Sequence, residues 1–153
     1  MKEIKLIKVI FRPGYGDMLG GYHESVLKKD NDGSWIYVCS DRETHDDPTV
    51  TAVYAVSAEA VAEFEEFIKS ENVLSLENRL ESNLFATDYS PWSWRIDYDT
   101  TSFGKPKREN CSLEEYRRYS GRDYELLREL KNRFTAMRGE KISETTEKFD
   151  SER

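Results

Sequence analysis

Apolar and polar residues alternate strictly in a stretch of the chain that begins at Trp92. The apolar positions of this stretch are Trp92, Trp94, Ile96 and Tyr98. Because successive side chains of a β-strand point to opposite faces of a sheet, the pattern predicts a half-buried antiparallel strand with one hydrated face. Two indoles on one face need a second layer to cover them. The stretch therefore predicts a sheet with helices packed on it.

Four further strands are predicted before residue 57, because glycine-rich and Asp/Asn-rich turns separate β-branched and alternating segments there. They cover residues 4–11, 22–28, 35–39 and 50–56. The first segment is almost continuously apolar, so we expect it to be central in the sheet. Residues 41–48 are polar and end in proline, which predicts an exposed loop. Residues 100–110 fit either a polar connection or the second arm of a hairpin through Phe103 and Gly104.

The first of two predicted helices follows Ser57, which stands where an N-cap residue is needed, and runs over residues 58–70. Its apolar residues recur at helical spacing. We expect this apolar side to cover the face of the sheet that carries Trp92 and Trp94. Residues 73–85 come next and fit either a helix or part of a strand.

The second helix is predicted over residues 113–138. Ser112 and Glu115 have the spacing of a capping box, in which each side chain satisfies a free backbone N–H of the first turn. Glycine costs about 1 kcal/mol relative to alanine inside a helix, so a break or kink is expected at Gly121.

These elements predict an α+β fold, with a single antiparallel sheet of about five strands and two main helices packed on it. The chain has 153 residues, which fits one domain and suffices for an independent core. We expect that domain to cover residues 1–138. Beyond Gly139 the chain has few apolar residues, so residues 139–153 are predicted to be a flexible charged tail.

Charge is distributed unevenly along the chain, which has a formal net charge of −7. Residues 1–104 form an acidic body, whereas residues 105–141 hold eleven Lys or Arg against seven Asp or Glu. An acidic body repels phosphate backbones, so a nucleic-acid partner is not expected. The basic segment predicts a solvated helix with interspersed charges of both signs. Because it complements the acidic body of a second molecule, self-association is one open hypothesis, beside an unknown protein partner.

The N-terminus lacks an apolar core of signal-peptide length, and no run approaches the roughly 18 apolar residues of a membrane span. Cys39 and Cys111 lie far apart in the sequence and fit no metal-binding spacing. Because no export signal is recognised, both are expected to be reduced thiols. We therefore expect a cytoplasmic protein without a membrane partner.

Two motifs resemble ligand-binding loops but lack their defining residues. Gly14 and Gly16 follow a strand, yet Leu19 stands where a dinucleotide-binding loop has glycine or alanine. A later acidic turn has part of the spacing of a calcium loop, but Lys28 and Cys39 occupy the positions of its two strongest ligands. Structural turns explain both motifs, and no cofactor is predicted.

Metal-binding and catalytic chemistry have only weak candidates. The loop after the third strand contains Asp41, Glu43 and His45, but a single imidazole with flexible carboxylates binds metals weakly, so a solvated loop is favoured. No cysteine has a histidine at a spacing that predicts a nucleophile with its base, and no Gly-x-Ser-x-Gly elbow is present. The sequence therefore predicts no catalytic residue and favours a protein that is not an enzyme.

Aromatic residues are more numerous than one helix can cover, with nine Tyr, seven Phe and three Trp. Tyrosine and tryptophan at a surface are enriched at binding interfaces. The candidate binding residues are Tyr15, Asp17, Tyr22, His23 and Trp35. The favoured hypothesis is a non-catalytic binding or protein-interaction module. The alternative is a small-ligand or metal-binding protein, or a weak hydrolase, that uses the glycine-rich loop and His23.

The order of the elements resembles that of small uncharacterised bacterial α+β proteins. The segments that carry the resemblance are the glycine-rich connection over 11–21, the helix over 57–68 followed by Asn72 and Val73, the Trp-containing strand over 88–98 and the capped C-terminal helix. The resemblance spans residues 4–135 and implies a sheet packed by helices, without an activity or a transferable site residue. The chain departs from this pattern in its longer charged tail and in a final helix rich in Tyr and Arg.

Overall fold

A computed structural model describes residues 3–14, 21–44, 46–81 and 91–147 of the chain. Over these ranges the chain forms seven strands, two α-helices and a 3₁₀ helix. The strands are β1 (Ile4–Arg12), β2 (Tyr22–Lys29), β3 (Trp35–Arg42), β4 (Thr49–Val56), β5 (Ser93–Ser102), β6 (Lys105–Glu114) and β7 (Lys141–Glu147). The helices are α1 (Ala58–Ser70), the 3₁₀ helix (Val73–Asn78) and α2 (Gly121–Ala136). None of these helices has the length and the run of apolar residues that crossing a membrane requires.

The described strands form one antiparallel sheet in the order β6-β5-β1-β2-β3-β4-β7. The predicted α+β class with a single antiparallel sheet is therefore confirmed. The predicted number of strands is too low, because β6 and β7 extend the sheet at its two edges, and the 3₁₀ helix adds a third helix. β1 lies in the interior, between β5 and β2, as its apolar run predicts. β3 is longer than predicted, since Asp41 and Arg42 pair with β2 instead of opening the loop over 41–48.

β5 and β6 form a long hairpin, which decides between the two interpretations of residues 100–110. The strands join through a two-residue turn at Phe103 and Gly104, whose φ angles are 50° and 78°. A tight turn of this kind needs positive φ at both positions, which glycine adopts freely and phenylalanine adopts at a cost. The second arm of a hairpin is the correct interpretation.

The predicted start of the second helix is wrong. Ser112 lies in β6, and its backbone N–H donates to the carboxylate of Glu77 at 3.1 Å. α2 begins at Gly121, behind a capping box that Ser120 and Asp123 form. Gly121 is thus the first residue of the helix and produces no kink. β6 pairs with β5 along its whole length, Ser112 included. This pairing outweighs the local capping pattern at Ser112, which would otherwise favour the start of a helix.

The segment for which helix and strand both fit begins with the 3₁₀ helix. Val73 and Leu76 of this helix are buried, and the thiol of Cys111 in β6 donates to the carbonyl oxygen of Leu74 at 3.8 Å. These contacts hold the short helix against the end of the sheet. Residues 82–85 of the same segment lie outside the described residues.

The core lies between one face of the sheet and the two α-helices. The ring of Phe134 in α2 lies 5.2 Å from that of Trp94 and 5.7 Å from that of Phe64 in α1. Trp92 and Trp94 both pack on this face, as predicted. The prediction that α1 covers this face is confirmed. α2 packs on the same face and supplies the ring over Trp94. The reason is topological, because α2 follows β6 directly and β6 is the neighbour of β5.

Residues 141–147 form a strand, and the prediction of a flexible tail is wrong over this range. β7 pairs with β4, and the pairing starts before the strand itself. The N–H of Gly139 donates to the carbonyl of Ala55, and the N–H of Ala55 donates to the carbonyl of Glu140, each at 2.8 Å. The open backbone edge of β4 supplies these bonds whatever the polarity of the added strand. Residues 148–153 lie outside the described residues.

We expect Gly139→Ala to destabilise the protein by about 1 to 3 kcal/mol. A Cβ atom at Gly139 would lie 2.6 Å from the carbonyl oxygen of Ala55, so the chain could not approach β4 without moving. Gly121→Ala is the control, because among the described residues no atom beyond its chain neighbours and its own helix backbone lies within 4 Å of its Cβ position. Alanine there should be neutral or stabilising by up to about 1 kcal/mol. Urea unfolding compares the two variants, and equal stabilities would contradict the close approach at Gly139.

Asp123 connects the start of α2 to the chain that leaves the 3₁₀ helix. Its carboxylate accepts hydrogen bonds from Arg79 Nε at 2.8 Å, from Arg79 Nη2 at 3.1 Å and from the N–H of Ser120 at 2.9 Å. The hydrogen bonds from Arg79 lower the pKa of Asp123 from 3.8 to about 2, against the opposing effect of burial. Because the pKa is lower in the folded state, the carboxylate stabilises the fold above about pH 4 and loses this effect as the pH falls towards about 2.

Asp123→Asn is expected to lower the free energy of unfolding at pH 7 by about 1 to 2 kcal/mol, since it weakens both the cap and the contact with Arg79. The difference from the wild type should shrink between about pH 4 and pH 2, where the wild-type carboxylate takes up its proton. Asp99→Asn is the control, because the 2.7 Å pair of Asp99 with Arg108 is largely exposed and should contribute less than about 1 kcal/mol. Denaturant unfolding at several pH values tests this, and a difference that does not change with pH would refute it.

Candidate functional site

A groove of about 330 Å³ lies between α2 and the adjacent ends of β1 and β5. Ligand pockets in proteins range from about 300 to 1,000 Å³, so the groove has the size of a small-molecule site. Its described lining consists of Phe11, Pro13, Gly14, Trp92, Trp94, Tyr124, Leu127, Arg128 and Lys131. The combination of four aromatic rings with two cations makes this groove the candidate site.

The floor of the groove consists of side chains that are fixed in the core. Phe11 and Trp94 are only 6% and 2% exposed, and their rings stack with centroids 4.2 Å apart. The sheet register brings them together, because Phe11 of β1 pairs with Trp94 of β5. Leu127 of α2 is also buried beside them. A floor packed in this way keeps its shape whether or not the groove is occupied.

Trp92 forms one side of the groove and is held there by Tyr119. The two rings stack with centroids 5.8 Å apart, and Tyr124 meets Tyr119 edge-on at 5.5 Å. Tyr119 is anchored in turn, since its hydroxyl donates to the carbonyl of Glu114 at 2.8 Å. Burial raises the pKa of Tyr119 to about 12, so the hydroxyl remains a donor at neutral pH. The partly exposed indole of Trp92 is therefore positioned before any ligand arrives.

Arg128 and Lys131 are the charged residues of the described lining, and both are exposed. They lie three positions apart on α2, which places them on the same side of the helix. The Nζ of Lys131 lies 5.9 Å from the centroid of the Phe11 ring. None of the lining residues that the structure describes carries a carboxylate, so the groove presents positive charge on an acidic protein.

The candidate binding residues that the structure describes, Tyr22, His23 and Trp35, do not come together in one site. Tyr15 and Asp17 lie outside the described residues. Tyr22 and His23 are neighbours on β2, so their side chains point to opposite faces of the sheet. Trp35 pairs with Lys29 at the other end of the β2–β3 hairpin, about 23 Å away along the strands.

His23 contacts two of the three weak metal candidates. Its Nδ1 lies 2.8 Å from Asp41 Oδ1, and its Nε2 lies 4.0 Å from Glu43 Oε1. The cause is the sheet register, in which His23 of β2 pairs with Asp41 of β3. His45 lies outside the described residues. In the described part of the chain, no group of three or more His, Cys, Asp or Glu side chains is arranged to hold a metal ion.

Cys39 and Cys111 are both free and buried. Burial raises the pKa of Cys111 well above its usual range, so the group stays a neutral thiol at physiological pH. The Sγ of Cys39 lies 3.9 Å from the hydroxyl oxygen of Ser25, its partner on the neighbouring strand β2. Both side chains are placed as packing residues, as the interpretation of Cys39 as a core thiol predicts.

Sequence reasoning missed the two cations and did not place Trp92 or Trp94 among the candidate binding residues. Arg128 and Lys131 stand in a helix with many charges, and nothing in their spacing sets them apart. The glycine-rich connection, which the alternative small-ligand hypothesis uses, is one signal that points towards the groove. Its first residues, Pro13 and Gly14, do line the groove.

Comparisons with protein families, with curated proteins and with solved structures find no match to this chain. The resemblance to small bacterial α+β proteins therefore stays a prediction, and the function has to be inferred from the site.

Fluorescence quenching by acrylamide should separate the two indoles of the groove. We expect the variant with Trp35→Phe and Trp92→Phe, which retains Trp94, to resist quenching, because Trp94 is 2% exposed. The variant with Trp35→Phe and Trp94→Phe retains the partly exposed Trp92 and should be quenched several-fold more strongly. Both should be quenched equally in denaturant, and equal quenching in the native state would contradict the depth of Trp94.

Proposed function

We propose that the protein is a non-catalytic binding module and that the aromatic groove is its binding surface. The observation that carries this proposal is the partly exposed indole of Trp92, which Tyr119 holds beside a concave, apolar floor. Aromatic side chains that are already in place lose little conformational entropy on binding. The groove thus has the two features on which affinity depends, namely apolar area and preorganisation.

Two further observations support a binding role. The floor residues pack in the core, so a ligand would meet a surface that needs no rearrangement. The groove also adjoins the glycine-rich connection, where glycine allows the backbone to approach a ligand closely. The buried, free state of Cys39 and Cys111 supports the proposed location in a bacterial cytoplasm, where thiols stay reduced.

A screen of small aromatic fragments by protein-observed NMR tests the proposal. We expect the chemical shifts of Trp92, Tyr124 and Leu127 to respond. Trp92→Ala should weaken the binding of a hit by about tenfold or more, because a central aromatic anchor is lost.

The control for this experiment is Trp35→Ala. Trp35, like Trp92, is a partly buried indole packed against the core, but it lies under Lys29, away from the groove. Its replacement should leave fragment affinity unchanged. Equal losses in both variants, or fragment shifts confined to the Trp35 end of the sheet, would refute the proposal.

A second candidate function uses His23, and the 2.8 Å contact between His23 and Asp41 favours it. A carboxylate that orients an imidazole is a feature of small-ligand and metal sites and of weak hydrolases. The same NMR titrations, run with Zn²⁺, examine this candidate. Shifts centred on His23, Asp41 and Glu43 that disappear in His23→Ala would support it, and an unaffected His23 would exclude it.

A further inference from the structure

We infer that the groove takes a small molecule in which an aromatic ring carries an anionic group, a carboxylate or a phosphate. This assignment rests on the binding function proposed above and adds the chemical class of the ligand. Three features of the groove lead to it, namely its volume, the arrangement of its rings and the sign of its charge.

The volume indicates a small ligand. At about 330 Å³ the groove is near the lower limit of ligand pockets, which is about 300 Å³. One or two fused rings with a short acidic substituent match this space. A long polymer segment would need a groove that continues along the surface.

The rings of the groove favour an aromatic ligand. Phe11 and Trp94 are nearly buried and supply the floor, whereas Trp92 and Tyr124 supply the more exposed ring surface. Tyr119 already holds Trp92 in a stacked arrangement, with ring planes inclined by 21°. A planar ligand ring can extend this arrangement through offset-stacked or edge-to-face contacts, which contribute beyond the apolar area that they remove from water.

The charges of the groove favour an anion. Arg128 and Lys131 make no ion pair with any described residue. Other cations of the same region have partners, since Arg133 bonds to Glu129 at 2.8 Å and Arg79 bonds to Asp123 at the same distance. Two unpaired cations beside an apolar floor are suited to a carboxylate or phosphate, because a guanidinium binds both through paired N–H groups.

The position of the cations relative to the rings fits one ligand that uses both. Lys131 lies 5.9 Å from the Phe11 ring, and Arg128 is one helical turn before it on α2. A ring on the floor would thus bring its acidic substituent towards α2. The net charge of −7 adds a selectivity argument, since the protein as a whole repels an anion whereas Arg128 and Lys131 attract it at this groove.

Isothermal titration with matched probes tests the assignment. Naphthalene-2-carboxylate and 2-naphthyl phosphate carry the anion, and naphthalene-2-carboxamide is the neutral control of the same shape. We expect either anion to bind about three- to tenfold more tightly than the amide at low salt, and we expect this preference to fall at high salt. The anion that binds more tightly shows whether the groove prefers a carboxylate or a phosphate.

The variants separate the ligand class from the binding function. Arg128→Gln combined with Lys131→Gln should abolish the preference for anions while leaving amide binding intact, and both positions are exposed, so the fold should tolerate the change. Arg122→Gln is the matched control, because Arg122 is exposed on the same helix and does not line the groove. If the amide binds as tightly as the anions and Trp92→Ala still weakens all three, the ligand class is wrong and the binding function stands. If no probe binds the wild type, the ligand class is overturned, and the fragment screen on Trp92 then decides the binding function separately.

Discussion

The contact of Trp94 with Phe134 determines how α2 sits on the sheet, and the groove exists because α2 sits there. Trp94 is 2% exposed and Phe134 is fully buried, and their rings meet edge-on at 5.2 Å. Each ring also contacts a second aromatic partner, Phe11 in the sheet and Phe64 in α1. Burial of aromatic side chains of this size contributes several kcal/mol, far more than any exposed ion pair of the protein. The position of Arg128 and Lys131 over the groove follows from this packing.

The groove shows how a structural core and a binding surface can share the same residues. The indole of Trp94 serves the core, and its neighbour two residues earlier, Trp92, remains partly exposed at the edge of the same face. Strand alternation places both indoles on one side of the sheet. Phe134 of α2 covers Trp94, whereas Trp92 stays partly exposed. Tyr119 then holds Trp92 in place, so the exposed ring belongs to an ordered aromatic cluster and not to a loose surface. A binding module needs this combination of rigid support and accessible ring area.

The sequence predicted the parts of the fold that depend on local pattern. The alternation from Trp92, the N-cap at Ser57 and the apolar run of β1 all correspond to observed elements. The errors arose where long-range pairing overrides a local signal, as in Ser112, whose capping pattern lies inside β6. The prediction of a flexible tail was wrong for the same reason. Pairing with the open edge of β4 makes residues 141–147 a strand, although their composition does not indicate one. The groove could not be predicted, since it requires the position of α2 over Trp92 and Trp94.

A double-mutant cycle between Trp94 and Phe134 tests the central claim most directly. The free energy of unfolding is measured by denaturant titration for Trp94→Phe, for Phe134→Leu and for the double variant. Direct packing of the two rings predicts a coupling energy of about 0.5 to 1.5 kcal/mol, so the double variant should lose less stability than the two single variants together. Strictly additive losses would show that the rings do not touch, and the placement of α2 and of the groove would then be wrong.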